Sequence, residues 1–256
     1  MTGAAPEPAQ EPPGISALTL SVTRARTHYQ ACRYAELITR LPRLLAQLDA
    51  ACGSLDGDGK LRVYALSADA YHLAAGILLK TGDHGLAHLA TDRSMTAALA
   101  SQDPLTVGTS ARIVTHTLAS SGHLPAAIAT AQNHSQRLDH ETGTHTPESL
   151  SVYGSVLLRG ALGRRNRHRP GRQINPAAVT VTERKASLLI DVAQAFFQWG
   201  KYSQAYTALR AAEQTAPQEL AARTPVRTLA RNLAALTPPG TRRDAAHLAD
   251  RIGANT

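Results

Sequence analysis

The chain has 256 residues, enough to bury a substantial core in one large domain or two small ones without disulfides or metals. Hydrophobic residues make up 43% of it but aromatics only 4%, so alanine and leucine carry the apolar mass, a balance that favours packed helices over sheets. Six of the eight excess positive charges sit between Arg159 and Gln173, where there is no acid, so the basicity is local and the rest of the chain is nearly neutral.

In chain order, the first 14 residues carry four prolines, two glutamates and no apolar run. This excludes a signal peptide and predicts a disordered lead-in over 1–16. Helical pairs follow over 17–162. RARTHYQACRYAELITRLPRLLAQL predicts two helices joined at Cys32, AYHLAAGILLKTGDHGLAHLATDRS two joined at Gly82, and ARIVTHTLASSGHLPAAIATAQNHSQRL two joined at Gly122. Asp83 is placed to cap the helix that begins there. Pro147–Leu162 reads as the first helix of a further pair, and 163–181 as a basic, irregular segment. The clearest unit is Ala193–Pro217, in a region 182–236 with a cap at Thr180 or Thr182: Ala193, Ala205 and Ala212 let two helices approach, Gly200 ends the first, and Pro217 stops the second. A short terminal pair, about Pro225–Leu236 and Arg242–Ile252, is split by Pro238-Pro239-Gly240, so that 237–256 forms a capping helix and tail. The spacing of glycines, small residues and prolines resembles tetratricopeptide (TPR) repeats. The fold expected is therefore all-α, with TPR-like antiparallel helix pairs stacked into a right-handed solenoid.

RTHYQACRYAELITRLPRLLAQLDAA, SADAYHLAAGILLKTGDHGLAHLATDRSMTAA, PESLSVYGSVLL and NPAAVTVTERKASLLIDVAQAFFQWGKYSQAYTALRAAEQTAP resemble the C-terminal TPR-like regions of actinobacterial XRE-type transcriptional regulators. The resemblance implies a cytoplasmic regulatory module that senses a ligand or contacts a partner. In that family a helix-turn-helix usually precedes the repeats. Only about 17 residues stand before the first helix here, too few for such a DNA reader, so direct specific DNA binding by this chain is not expected. The family also carries a complete helix pair where Gly160–Ile174 stands, which points to an internal deletion.

Motifs for chemistry fail on spacing. Around Gly53 and Lys60 the glycine of a phosphate loop is one residue out of place, and Leu61 stands where Ser or Thr is needed, so an inter-helix loop is expected. Asp56 and Asp58 alternate as in a calcium loop, but Lys60 stands at the third ligand position and Ser67 at the twelfth, where a bidentate Glu is needed, so a calcium site is rejected. His84 and His88 share a helix face but lack a third ligand, and His140, Glu141 and His145 read as a polar loop. Cys32 and Cys52 form no CxxC pair and are expected as reduced thiols. No catalytic residue, cofactor or metal is therefore assigned, and no membrane span is expected.

The function expected is a non-enzymatic module whose concave face, lined by the first helix of each pair, holds a peptide, a protein partner or a small signalling ligand, with a homodimer among the assemblies allowed. Its candidate residues are His28, Tyr71, His72, Arg112, His116, Tyr153 and Gln194. Two alternatives are a nucleic-acid-associated protein using the basic segment 159–173, with Arg164, Arg165, Arg167, Arg169 and Arg172 as phosphate contacts, and a degenerate regulator fragment.

Overall fold

Leucines and an alanine at 37, 41, 44, 48 and 51 recur at the spacing of one helix face, and all five are buried. They form the inner side of α2 (Tyr34–Ser54), which packs against α1 (Ile15–Gln30) through Leu18, Val22 and Ala25. The computed structural model describes residues 13–142 and 181–254. The remaining helices are α3 (Gly57–Thr81), α4 (His84–Ser101), α5 (Pro104–Ser120), α6 (Leu124–Thr142), α7 (Thr182–Gln198), α8 (Tyr202–Thr215), the short α9 (Pro217–Ala222), α10 (Thr224–Leu236) and α11 (Pro239–Arg251). No strand occurs among the described residues, and no helix among them is long and apolar enough to cross a membrane.

The helices pack as neighbouring pairs: α1 with α2, α3 with α4, α5 with α6, α7 with α8, and α10 with α11. The turn is the same device in the first four. Cys32, Gly82, Gly122 and Gly200 have φ of 59, 85, 84 and 71°, the left-handed conformation that ends a helix. In each, the next amide donates back to a carbonyl five residues earlier: Arg33 to His28 at 2.8 Å, Asp83 to Leu78 at 3.0 Å, His123 to Leu118 at 2.8 Å and Lys201 to Phe196 at 2.9 Å. The four turn positions aligned in the sequence are thus alike in three dimensions, including the one held by cysteine. Asp83 caps α4 as expected, accepting from the Leu86 amide at 2.9 Å. At α7, by contrast, Val181 holds the cap position and no side chain closes it.

Small residues set the spacing of the middle pairs. Ala68, Ala97 and Ala98 are buried together, and Ser94 donates to the Ala68 carbonyl at 2.9 Å while its hydroxyl lies 3.0 Å from that of Ser110. Buried hydroxyls are tolerated there because each finds a partner across the helix contact. Two expected loops are helical instead. Gly57–Lys60 form the first turn of α3, leaving only Leu55 and Asp56 between helices, and His140 and Glu141 lie in the last turn of α6, where Glu141 pairs with Arg137 at 2.6 Å. His145 lies outside the described residues.

The last helices do not simply extend the row. α7 lies against α1, and Ala186 and Ala216 are buried in the same cluster as Leu18, Leu37 and Leu73. Ile190, Leu209, Leu229, Leu233 and Leu248 form a second cluster within α7–α11. The two described segments therefore meet through α1 and α7, and where they meet they enclose polar groups.

Candidate functional site: a polar cleft closed by a buried ionic node

The first helices of four pairs converge on a cleft of about 820 Å³. α1 contributes Arg26, Tyr29 and Gln30, and α3 contributes Asp69, His72, Leu73, Gly76 and Lys80. Thr106, Thr109, Arg112 and His116 come from α5, and Glu183, Arg184, Asp191 and Gln194 from α7. On each helix most of these positions lie three or four apart, with the neighbours Tyr29 and Gln30, His72 and Leu73, and Glu183 and Arg184 widening the stripe, as on one broad helix face. Two pairs brace the walls. Arg26 bridges to Asp69 between α1 and α3, and Arg112 Nη2 donates to His72 Nε2 at 2.6 Å between α5 and α3. A guanidinium can only donate, so His72 Nε2 is the acceptor of that bond.

At one end of the cleft lies a cluster of charges out of water. Glu219, on α9, is fully buried, with side-chain exposure of 0%. Its Oε1 receives Lys80 Nζ at 2.6 Å and Arg223 Nε at 2.7 Å, while the Tyr34 hydroxyl donates to Oε2. Lys80 also reaches Glu183 Oε1 at 2.8 Å, and Ser187 donates to Glu183 and Glu219 at 3.2 Å each. The rings of Tyr29 and Tyr34 meet edge to face at 5.6 Å, and the ammonium group lies 5.3 and 5.5 Å from their centres. Nearby, Tyr34 N–H donates to Gln218 at 3.2 Å, and the Thr224 hydroxyl to the Thr81 carbonyl at 2.8 Å. The node thus ties α2 and α3 to α7 and α9.

Burial opposes the charge on each member, and the partners decide the outcome. Burial alone would raise the Glu219 carboxyl, but Lys80 and Arg223 outweigh it and hold the carboxyl below its ordinary range. Burial alone would lower Lys80, but Tyr29, Glu183 and Glu219 prevail and it titrates above a free lysine. Tyr34 is raised by burial and then by the Glu219 charge, so it stays a neutral donor. The Cys32 thiol, 3% exposed in the left-handed turn, is pushed up by burial to about 11 and stays protonated. These groups neutralise one another and are committed to the fold.

Of the residues expected on the binding face, His72, Arg112, His116 and Gln194 meet in the cleft. His28 does not. One residue before Tyr29, it points to the other side of α1, where Nδ1 lies 3.5 Å from Glu36. Tyr71, one residue before His72, turns towards Asp49 of α2. In both cases the helix was assigned to the right wall, but a step of about 100° put the side chain off it. Tyr153, Arg164, Arg165, Arg167, Arg169 and Arg172 lie outside the described residues. His84 stands at the cleft rim, whereas His88 Nε2 lies 3.0 Å from the Ser121 hydroxyl, and no group of three metal-ligating side chains occurs among the described residues.

Sequence reasoning missed the node. Its one legible signal is Lys80, which sits one turn beyond Gly76 and next to Ile77 on an otherwise apolar stretch of α3. A charge on an inward face demands a partner, but nothing near it in sequence names Glu219. The fold and site together define an all-α protein of neighbouring helix pairs around a polar cleft. In comparisons with protein-family models, curated proteins and solved structures, the chain matches none.

Proposed function

We propose that the chain is a non-enzymatic interaction module of TPR-like type, whose cleft binds a short peptide. In this reading the pairs are turns of a right-handed solenoid. The module is the sensing or partner-binding part of a regulator like the XRE-type proteins its sequence resembles. The observation that carries the reading is the convergence of the first helix of each of four pairs on one cleft, the face on which helical repeats gather their ligands.

The chemistry of the walls favours a peptide. Arg26, Arg112 and Arg184 alternate with Asp69, Asp191 and Gln194, and the Thr106 and Thr109 hydroxyls lie between them. Such a surface suits a ligand with donors and acceptors along its length, and the volume lies within the range of small-ligand sites. Binding is favoured over catalysis because the buried ionisable groups Lys80, Glu219 and Tyr34 satisfy one another instead of facing the cleft unpartnered.

The test is a random peptide library displayed on phage and panned on the full chain, followed by affinity measurements on the enriched peptides. Arg112→Ala and Gln194→Ala are each expected to weaken them by roughly tenfold, the worth of a hydrogen bond at a contact surface. No enrichment, or enriched peptides indifferent to both substitutions, would overturn the reading.

A further inference from the structure

On the far side of α1 from the cleft lies a second concavity of about 320 Å³, between α1 and α2. Arg24 and His28 line it, whereas Arg26 and Gln30 line the cleft. Each pair is offset from the other by two residues, about 200° around the helix, so one helix serves two opposite faces. Across the groove from Arg24 stand Arg40 and Arg43 of α2, with Leu37, Leu41 and Leu44 along the floor.

The three arginines are exposed and none makes a hydrogen bond or ion pair with a described residue, in contrast to Arg26, Arg137 and Arg251, which each hold an acid. No carboxylate lines the groove among the described residues, and Glu36, four positions before Arg40 on α2, is engaged by His28. Leu20, one turn before Arg24 on α1, is 50% exposed. An arginine pair on one bank and an arginine on the other form a surface with one sign of charge, over a floor of leucines already buried at 1–6% exposure.

We propose that this groove docks an acidic amphipathic helix from a protein partner, independently of the ligand in the cleft. Arginine forks match carboxylates in pairs of parallel hydrogen bonds. Acids along the flanks of such a helix meet Arg24 on one bank and Arg40 and Arg43 on the other, and its apolar stripe covers the aliphatic stems of these arginines and the exposed Leu20, above the buried leucine floor. A nucleic acid fits less well, because among the described residues no Phe, Tyr or Trp lines the groove to stack on bases.

The experiment uses the full chain and a fluorescent synthetic helix of roughly 16 residues, about four turns, with Leu on one face and Glu flanking it. Anisotropy titrations compare it with a version carrying Lys for Glu, a version carrying Ser for Leu, and a single-stranded oligonucleotide. Each exposed arginine–carboxylate pair is worth a factor of about two to five. The combined variant Arg24→Glu, Arg40→Glu, Arg43→Glu is therefore expected to weaken the acidic helix by about tenfold or more, and Arg40→Gln alone by about two- to fivefold. Replacing Arg164, Arg165, Arg167, Arg169 and Arg172 by Ser is expected to leave it bound, as are Arg112→Ala and Gln194→Ala. Circular dichroism verifies the fold of every variant, and the single substitution decides if the triple one unfolds. The proposal is overturned if the acidic helix does not bind, if its binding follows the 164–172 arginines or the cleft variants, or if the oligonucleotide binds more tightly and loses affinity with the groove variant.

Discussion

Removing Glu219 should be among the most damaging single changes this chain can suffer, and its size can be worked from the node. Breaking a buried ion pair by deleting one partner costs about 3–5 kcal/mol, because the other charge is left in low dielectric. In Glu219→Ala the loss falls near the lower end, about 3 kcal/mol, since Lys80 keeps Glu183 at 2.8 Å and Arg223, 23% exposed, can hydrate. The Tyr34 hydroxyl, in a residue only 4% exposed, loses its acceptor and adds about 1 kcal/mol. A total of about 4 kcal/mol lowers the melting temperature by roughly 8–16 °C for a chain of this size. The assay is thermal and urea denaturation followed by circular dichroism. Glu213→Ala is the control: its pair with Arg251, 54% exposed, is worth less than about 1 kcal/mol. The double change Lys80→Met, Glu219→Leu should recover most of the loss by replacing paired charges with packed apolar groups. A Glu219→Ala variant within about 1 kcal/mol of Glu213→Ala would refute the claim that the node holds α2 and α3 to α7 and α9.

The same node sets a pH dependence. The Glu219 carboxyl is lowered in the fold, so its contribution is present above the unfolded value of about 4.3 and is lost as pH falls through the folded one. Lys80 is raised, so its contribution is complete below the unfolded lysine value of about 10.4 and is lost as pH rises through the folded one. Cys32, raised to about 11, begins to subtract stability above the unfolded thiol value, about 8.5. His134, lowered by burial and by Arg137, subtracts stability as pH falls below the unfolded imidazole value of about 6.5. Melting temperature should therefore be flat between about pH 7 and 8 and fall on both sides; an acid limb equally steep in Glu219→Gln would argue against Glu219 as its main source. Gly76→Ala should reverse the usual gain of about 1 kcal/mol for alanine in a helix. A Cβ there lies 2.8 Å from the Tyr29 oxygen and 3.1 Å from two ring carbons. We expect a net loss of about 1–3 kcal/mol, turning into a gain in a Tyr29→Ala background; equal effects in both backgrounds would show that the close approach is irrelevant.

Much of the architecture was legible because it is local. A left-handed residue after an apolar run ends a helix whatever surrounds it, so aligning Cys32, Gly82, Gly122 and Gly200 located four turns that share one geometry. Assigning the cleft to the first helices placed His72, Arg112, His116 and Gln194 on it, for the same reason that a 3.6-residue period reveals faces. It could not fix rotation to within one residue, and so it put His28 and Tyr71 there as well. Boundaries were misread where polarity imitated a loop: Gly57–Lys60 and His140–Glu141 are hydrophilic, yet they are the solvated ends of helices whose other turns are held by packing.

What sequence alone determined about this protein is its helices, their turns and which helix of each pair carries the polar face, since all of these depend on residues a few positions apart. The tertiary structure decided that the helices after residue 181 pack back on the first ones. Lys80 and Glu219 are 139 positions apart, and an isolated lysine in one helix and an isolated glutamate in another carry no record of each other. Only the packing of α7 and α9 against α1–α3 removes both from water, and once buried neither charge is stable without the other.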